Sequence, residues 1–297
     1  MLYDFKNCSL CPRQCHANRT EGVGFCGVGD ELKIARAALH MWEEPCISGK
    51  RGSGTVFFVG CNLGCNYCQN RDISRGDNMG MCVSAEKFRE ICFELRDKGA
   101  HNINLVTPCH FAPILSECFK DIKKELGIPV VCNTGGYDSL LAIDIMAEFT
   151  DVFLPDFKYA SAQTGRQFSN APDYPEIALA ALKRMVSHTG KPVFSPDGIL
   201  LSGTVVRHLV LPGQKKDGLA VMDALGSNFA PDEILVSVMR QYTPREDATG
   251  TMARRVTSYE YDSVVKRCAE YGFGGFVQGV GSASEIYRPA FDLTGII

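Results

Sequence analysis

From Gly52 onward, short apolar runs alternate with segments whose apolar residues recur at helical spacing. The runs at 55–59, 102–107, 129–133, 151–156, 204–211 and 233–239, with a shorter one at 275–278, have the length and composition of strands. Between the first two lies a predicted helix over 84–98. Ser84 is its N-cap, Phe88, Ile91, Cys92 and Leu95 share one face, and Gly99 ends it. Ile114, Leu115, Cys118, Phe119 and Ile122 repeat that spacing in the next helix, and Tyr261, Val264, Val265 and Cys268 do so before Gly272. About six strand–helix units in succession predict an α/β protein with a parallel sheet and helices outside it. An open doubly wound sheet and a barrel both satisfy this alternation. Polar residues at successive strand ends suit a barrel with its site at the C-terminal mouth, and six units fall short of the eight that close one. The expected fold is an incomplete (β/α)6 TIM-type barrel over residues 51–297. Residues 1–50 are Cys-rich and lack the rhythm, and read as a small N-terminal metal-binding module or cap.

Composition narrows the class without changing the fold. With 45% hydrophobic and 22% charged residues, the 297-residue chain is ordinary for a globular protein. A net charge of −3 makes no general case for nucleic acid. No stretch approaches the length of a membrane span, and Met1 to Phe5 lack a signal-peptide apolar core, so a cytoplasmic protein is expected. Fourteen cysteines are many for a reducing compartment, where clustered thiols serve metals or catalysis rather than disulfides. Seven fall into two groups, 8-11-15-26 and 61-65-68. Cys92, Cys118 and Cys268 lie on apolar helix faces and read as core.

The second group, Cys61-Asn-Leu-Gly-Cys65-Asn-Tyr-Cys68, directly follows the first predicted strand. Three thiolates can ligate three irons of a [4Fe–4S] cube and leave the fourth open to substrate or cofactor, whereas electron carriers use four Cys. The competing reading is zinc, which asks for a fourth protein ligand and favours paired C-x2-C knuckles. C-x3-C-x2-C after a strand is the signature of radical S-adenosylmethionine (SAM) enzymes, and the chain resembles that superfamily. It looks most like relatives of pyruvate formate-lyase activating enzyme, in the PflX-like branch. The residues carrying the likeness include Cys8-x2-Cys11-Pro12-Arg13-x-Cys15, Leu39-His40-x2-Glu43-Glu44-Pro45, Gly52-Ser53-Gly54-Thr55 and Cys68-Gln69-Asn70. Thr107-Pro108-Cys109-His110, Asn133-Thr134-Gly135-Gly136-Tyr137, Pro155-Asp156-Phe157-Lys158 and Gln241-Tyr242-x-Pro244 continue it. Two departures stand out. Activating enzymes carry Trp where this chain has Tyr67, and the Gly-Gly-Glu run that grips the SAM amino group is replaced by Val106-Thr107-Pro108-Cys109-His110.

The resemblance implies that SAM chelates the open iron and is cleaved by one electron to methionine and a 5′-deoxyadenosyl radical, which abstracts hydrogen from substrate. It implies a one-electron reductant such as flavodoxin or ferredoxin. Tyr67 is expected either to stack near the adenine or to shield the cluster. Asp156 and the pair Asn133-Thr134 are expected to hold a monovalent cation beside SAM, with Lys158 facing the SAM carboxylate; a structural Asp–Lys pair is the alternative. Arg207 is a charge inside an apolar strand, suited to a ligand carboxylate or to a structural ion pair. Gln241 and Tyr242 end the sixth strand, where they would touch adenosine or substrate. His110 is a candidate acid–base or substrate-binding group, or structural. His40, Glu43 and Glu44 would line the site from the cap, with one glutamate functional.

Cys8, Cys11, Cys15 and Cys26 supply four soft ligands, enough for tetrahedral zinc or a second [4Fe–4S] cluster. Cys11-Pro12 and the lack of a second C-x2-C pair favour the cluster. The leading function is a SAM-cleaving radical enzyme acting on a peptide or protein, either installing a glycyl radical or modifying a side chain. The same chemistry on a small metabolite is the alternative, and an iron–sulfur electron carrier or metal-binding scaffold is the non-enzyme reading.

Overall fold

The computed structural model describes residues 3–75, 79–283 and 289–297. Its strands are β1 (Leu32–His40), β2 (Ser53–Phe58), β3 (Met81–Val83), β4 (Ile103–Val106), β5 (Val130–Thr134), β6 (Val152–Pro155), β7 (Val193–Phe194), β8 (Leu200–Leu209), β9 (Leu235–Met239) and β10 (Gly275–Val277). Its helices are α1 (Pro45–Ser48), α2 (Arg71–Ser74), α3 (Ala85–Asp97), α4 (Ala112–Leu126), α5 (Leu140–Ala147), α6 (Ala162–Ser169), α7 (Tyr174–Thr189), α8 (Lys215–Asn228) and α9 (Ser258–Glu270).

The strands pair in the order β10-β9-β8-β6-β5-β4-β2-β1-β3, with β7 joined to β8. From β2 to β10 the pairing along this path is parallel and follows chain order without reversal. A doubly wound sheet would show a switch point where the order turns back. Its absence sends the helical crossovers the same way round, which leaves the other face to curl inward. The fold is therefore a mostly parallel, incomplete TIM-like barrel, as expected. All seven strands anticipated from the sequence are present, and the helix over 85–97 has Ser84 as its N-cap, its side chain accepting from the Lys87 N–H.

The stretch read as lacking rhythm contains a full strand. β1 pairs antiparallel with β2 over most of its length and extends the sheet beyond the parallel part. Its sequence, LKIARAALH, is made of good helix formers, so propensity gives no strand signal; cross-strand pairing decides the outcome. The C-terminal segment covers β1: Ala37 N–H donates to the Thr294 carbonyl and Leu293 N–H to Ala35, while Phe291 packs edge-on to Phe57 at 5.5 Å.

The barrel has two chemically different faces. Outward residues Phe58, Leu105, Cys132 and Phe153 join α3, α4 and α5 in one apolar core. Inward residues change from apolar to polar along the barrel. At one end Cys46 and Ile47 of α1 plug the interior against Val131, Val152, Leu154 and Val205. Toward the other end the inward positions become Asn104, Asn133, Asp156 and Arg207. The helices seal the outside, the plug seals one end, and the polar end is left as the mouth.

Candidate active site

The cluster loop begins where β2 ends. Gly60 has φ +93°, which a side chain would strain, and a Cβ there would lie 2.7 Å from the Cys26 carbonyl oxygen. The close approach lets the Cys61 N–H donate to that same carbonyl at 3.1 Å. Gly64, at φ +65°, turns the chain back so that Cys61, Cys65 and Cys68 gather on one loop. Donors point at their sulfurs: Leu63 N–H reaches Cys61 Sγ at 3.4 Å, and Ser169 Oγ and Tyr159 Oη reach Cys65 Sγ at 3.0 and 3.7 Å. Hydrogen bonds to sulfur favour thiolate ligands and tune a cluster. Burial pushes the Cys68 thiol up to about 12, with Cys65 and Cys61 adding to it, so metal binding is what would ionise it. Three thiols on one loop, with donors on the sulfurs, fit a cube with one open iron and leave a closed zinc set incomplete.

At the mouth, the candidate charges form one connected network. Arg207 donates through Nε to Asp156 Oδ1 (3.0 Å), through one terminal nitrogen to Glu43 (3.3 Å) and through the other to Asn133 Oδ1 (2.6 Å). Lys158 Nζ takes the second Asp156 oxygen at 2.5 Å. Glu43 also accepts from Asn104 and Asn133. Burial alone would raise the Asp156 pKa, but Arg207 and Lys158 outweigh it and hold the carboxylate below its ordinary range. Burial likewise works against the Lys158 charge, and Asp156 overcomes it, raising the pKa. Burial pushes the Glu44 pKa up to about 7, against the pull of Arg207 and with a further push from Glu43.

This geometry bears on the expected cation. Both oxygens of Asp156 already face cationic side chains, and the Asn133 oxygen faces Arg207. A monovalent cation would meet a neutralised carboxylate, so this arrangement fits one poorly. Thr134 turns to the neighbouring loop, its Oγ1 accepting from the Gly136 N–H at 3.2 Å. The other candidates sit apart from the network. Tyr67 is buried edge-on to Phe168 and Tyr242 with its hydroxyl 2.8 Å from that of Tyr159, one wall of a 660 Å³ cleft that Cys65, Arg71, Arg75 and Arg245 also line. Gln241 accepts from the Gln278 side chain at 3.1 Å, and its backbone carbonyl accepts from Gln69 at 2.9 Å. His110, offered as an acid–base candidate, lies inside the protein with Nε2 at 2.9 Å from the Val59 carbonyl. Burial and the nearby Arg19 charge lower its pKa to about 3, so it stays neutral; the geometry gives it the structural role.

The N-terminal cysteines adjoin the cluster loop. Cys11 is pushed up to about 12 by burial, with Cys26, Cys8 and Cys15 close enough to add to the rise. The position of a Cβ on Gly24 would lie 3.4 Å from Cys26 Sγ and 3.5 Å from Cys15 Sγ, so glycine there leaves room for the sulfurs. Arg13, between Cys11 and Cys15, donates to the carbonyls of Asn62 and Leu63 in the cluster loop and to those of Ser169 and Asn170. In the sequence Arg13 stands out only as part of the Cys11-Pro12-Arg13-x-Cys15 run. The role of Ser169 carries no sequence signal, because it depends on α6 ending beside Cys65.

Residues 55–225 match the family model described as the radical SAM superfamily. The chain is 28% identical over 278 residues to an uncharacterized protein of Methanocaldococcus jannaschii, covering 90% of this chain and 75% of that one. Among solved structures it is similar in fold to a radical SAM methyltransferase from Sphaerobacter thermophilus, with TM-score 0.55 and 16% identity over 78% of this chain and 69% of that one. It also resembles Streptococcus suis SuiB bound to its precursor peptide SuiA, with TM-score 0.51 and 12% identity over 75% of this chain and 47% of that one. Among the described residues no helix is long and apolar enough to cross a membrane.

Proposed function

The chain belongs to the radical SAM superfamily, and from that premise we propose that it is the member that takes hydrogen from a peptide or protein substrate. When bound, the [4Fe–4S] cluster and SAM supply reductive cleavage of SAM and a 5′-deoxyadenosyl radical, driven by a one-electron donor such as flavodoxin or ferredoxin. Cys61, Cys65 and Cys68 would hold the cluster, with Ser169 and Tyr159 donating to Cys65 and Arg13 fixing the loop backbone. Lys158 and Arg207 would keep positive charge at the mouth, where Lys158 can turn from Asp156 toward a SAM carboxylate. Tyr67 would wall the adenosine side.

The observation that carries the peptide reading is the shape of the space beside Cys65. It is an open cleft rather than a sealed chamber, walled by Tyr67, Phe168 and Tyr242 and by Arg71, Arg75 and Arg245. A small metabolite needs a pocket that buries most of its surface, whereas an extended chain lies in a groove. The peptide-bound SuiB fold is consistent with such use. The test is SAM turnover in reconstituted, reduced enzyme, with 5′-deoxyadenosine measured in the presence of peptide mixtures and of metabolite mixtures. Peptides that stimulate cleavage support the reading; stimulation by metabolites alone replaces it, and no 5′-deoxyadenosine from a fully loaded, reduced enzyme rejects both.

A further inference from the structure

Arg19 is 2% exposed and has no carboxylate partner among the described residues. Its donors reach the carbonyls of Val28, Gly29 and His110 and the sulfur of Cys8 at 3.8 Å, and its guanidinium lies over the rings of Phe5 and Phe111. A buried charge needs an opposite charge beside it. The groups placed to supply one are Cys8 and Cys26, the latter also within reach of the Arg19 charge. Metal-bound thiolates are permanently negative. The lone guanidinium therefore calls for a thiolate-bound metal group in the N-terminal module.

The kind of metal follows from what the module adjoins. Zinc is redox-inert and would only brace the fold, whereas Cys61, Cys65 and Cys68 lie in a chain of a superfamily whose cluster must be supplied with electrons. Position then suggests the role. The Cys26 carbonyl accepts from the Cys61 N–H, and Arg13 ties the module to the loop. Within the module Cys15 is exposed, as are Val23 and Phe25.

We propose that Cys8, Cys11, Cys15 and Cys26 ligate a second iron–sulfur cluster, through which electrons enter the cluster on the Cys61–Cys68 loop. One electron passes from a donor of the flavodoxin or ferredoxin class to the N-terminal cluster, and the same electron then reduces the loop cluster. No bond is made or broken and no proton moves. The recipient in this scheme rests on the radical SAM reading.

The test is anaerobic reconstitution, followed by counts of iron, sulfide and zinc and by electron paramagnetic resonance of the reduced protein. The samples are wild type, a variant with Cys61→Ala, Cys65→Ala and Cys68→Ala, and a variant with Cys11→Ser and Cys15→Ser. The expected result is about eight irons per wild-type chain and about four in the loop variant. The wild-type spectrum should differ from the sum of the two variant spectra, because adjoining reduced clusters couple magnetically. About four irons in wild type, or zinc in the module, overturns the proposal, and this count holds even if the serine variant fails to fold. Spectra that simply add overturn the electron path. Iron lost with the loop substitutions alone leaves the radical SAM chemistry standing without the second cluster. Iron lost only with the serine substitutions would instead remove the loop cluster on which that chemistry depends.

Discussion

The two cysteine groups meet at the Cys26–Cys61 hydrogen bond, yet the chain holds them by opposite means. The loop group is local: a strand end, glycines at 60 and 64 and eight residues of chain bring three thiols together. The N-terminal group is spread from Cys8 to Cys26 and is organised by side chains that reach far along the sequence, Arg13 to the loop and to residues 169 and 170, and Arg19 to His110. A site built from local geometry announces itself in a spacing. A site built from long-range arginines shows only as a set of cysteines whose purpose the spacing leaves open.

The sharpest way to break this contrast is to remove one loop ligand. Cys65→Ala should abolish SAM cleavage while circular dichroism and thermal unfolding remain close to wild type, because the loop lies outside the barrel wall; retained 5′-deoxyadenosine formation would show that the loop is not the site. Next in size is Arg207→Met, which tests whether the mouth depends on paired charges as the module is argued to. It leaves Glu43 without its buried cationic partner and Asp156 with Lys158 alone, and should cost about 3–5 kcal/mol in denaturant unfolding. A loss below 1 kcal/mol would mean that those carboxylates find other partners.

Arg13→Ala joins the two halves of the comparison. It removes charged donors from four carbonyls, worth about 1.5–3 kcal/mol for each well-made bond, so both cysteine groups should release iron faster to a chelator. Iron release unchanged from wild type would separate the module from the loop. The effect at Glu44 is smaller and depends on pH. Its folded pKa of about 7 lies above the ordinary 4.5, so the neutral form is favoured and its stabilisation is fully present below about pH 4.5 and lost as pH rises through 7. Glu44→Gln should therefore change little at pH 5 and stabilise by roughly 1–3 kcal/mol at pH 8; equal effects at both pH values would contradict a buried, proton-binding carboxyl. Smallest is Ser84→Ala, a cap far from either group, expected to cost about 1 kcal/mol with no change in iron content.

Much of the barrel could be read because its wall uses a local code. Strands at 55–59, 102–107 and 129–133 are short apolar runs, and helices such as α3 carry one apolar face and a capping serine. β1 escaped because Leu, Lys, Ala and Arg favour helices, and only pairing with β2 makes them a strand. The site divides in the same way. Cys61, Cys65, Cys68, Asp156 and Lys158 were visible at strand ends. Arg207 was visible as a misplaced charge, but not its bonds to Glu43 and Asn133, because those residues approach from distant segments. His110, at a strand end, suits either a chemical role at the mouth or a structural one, and the structure turns its ring inward to the Val59 carbonyl. Strand ends show where a backbone leads; they do not show which way a side chain turns once the next helix begins.

The central claim is that the loop after β2 holds an open [4Fe–4S] cluster. It is tested most directly by counting iron and sulfide in anaerobically reconstituted wild type and in the protein carrying Cys61→Ala, Cys65→Ala and Cys68→Ala. The account predicts a loss of about four irons and four sulfides with the triple substitution. Equal counts in the two proteins would contradict it.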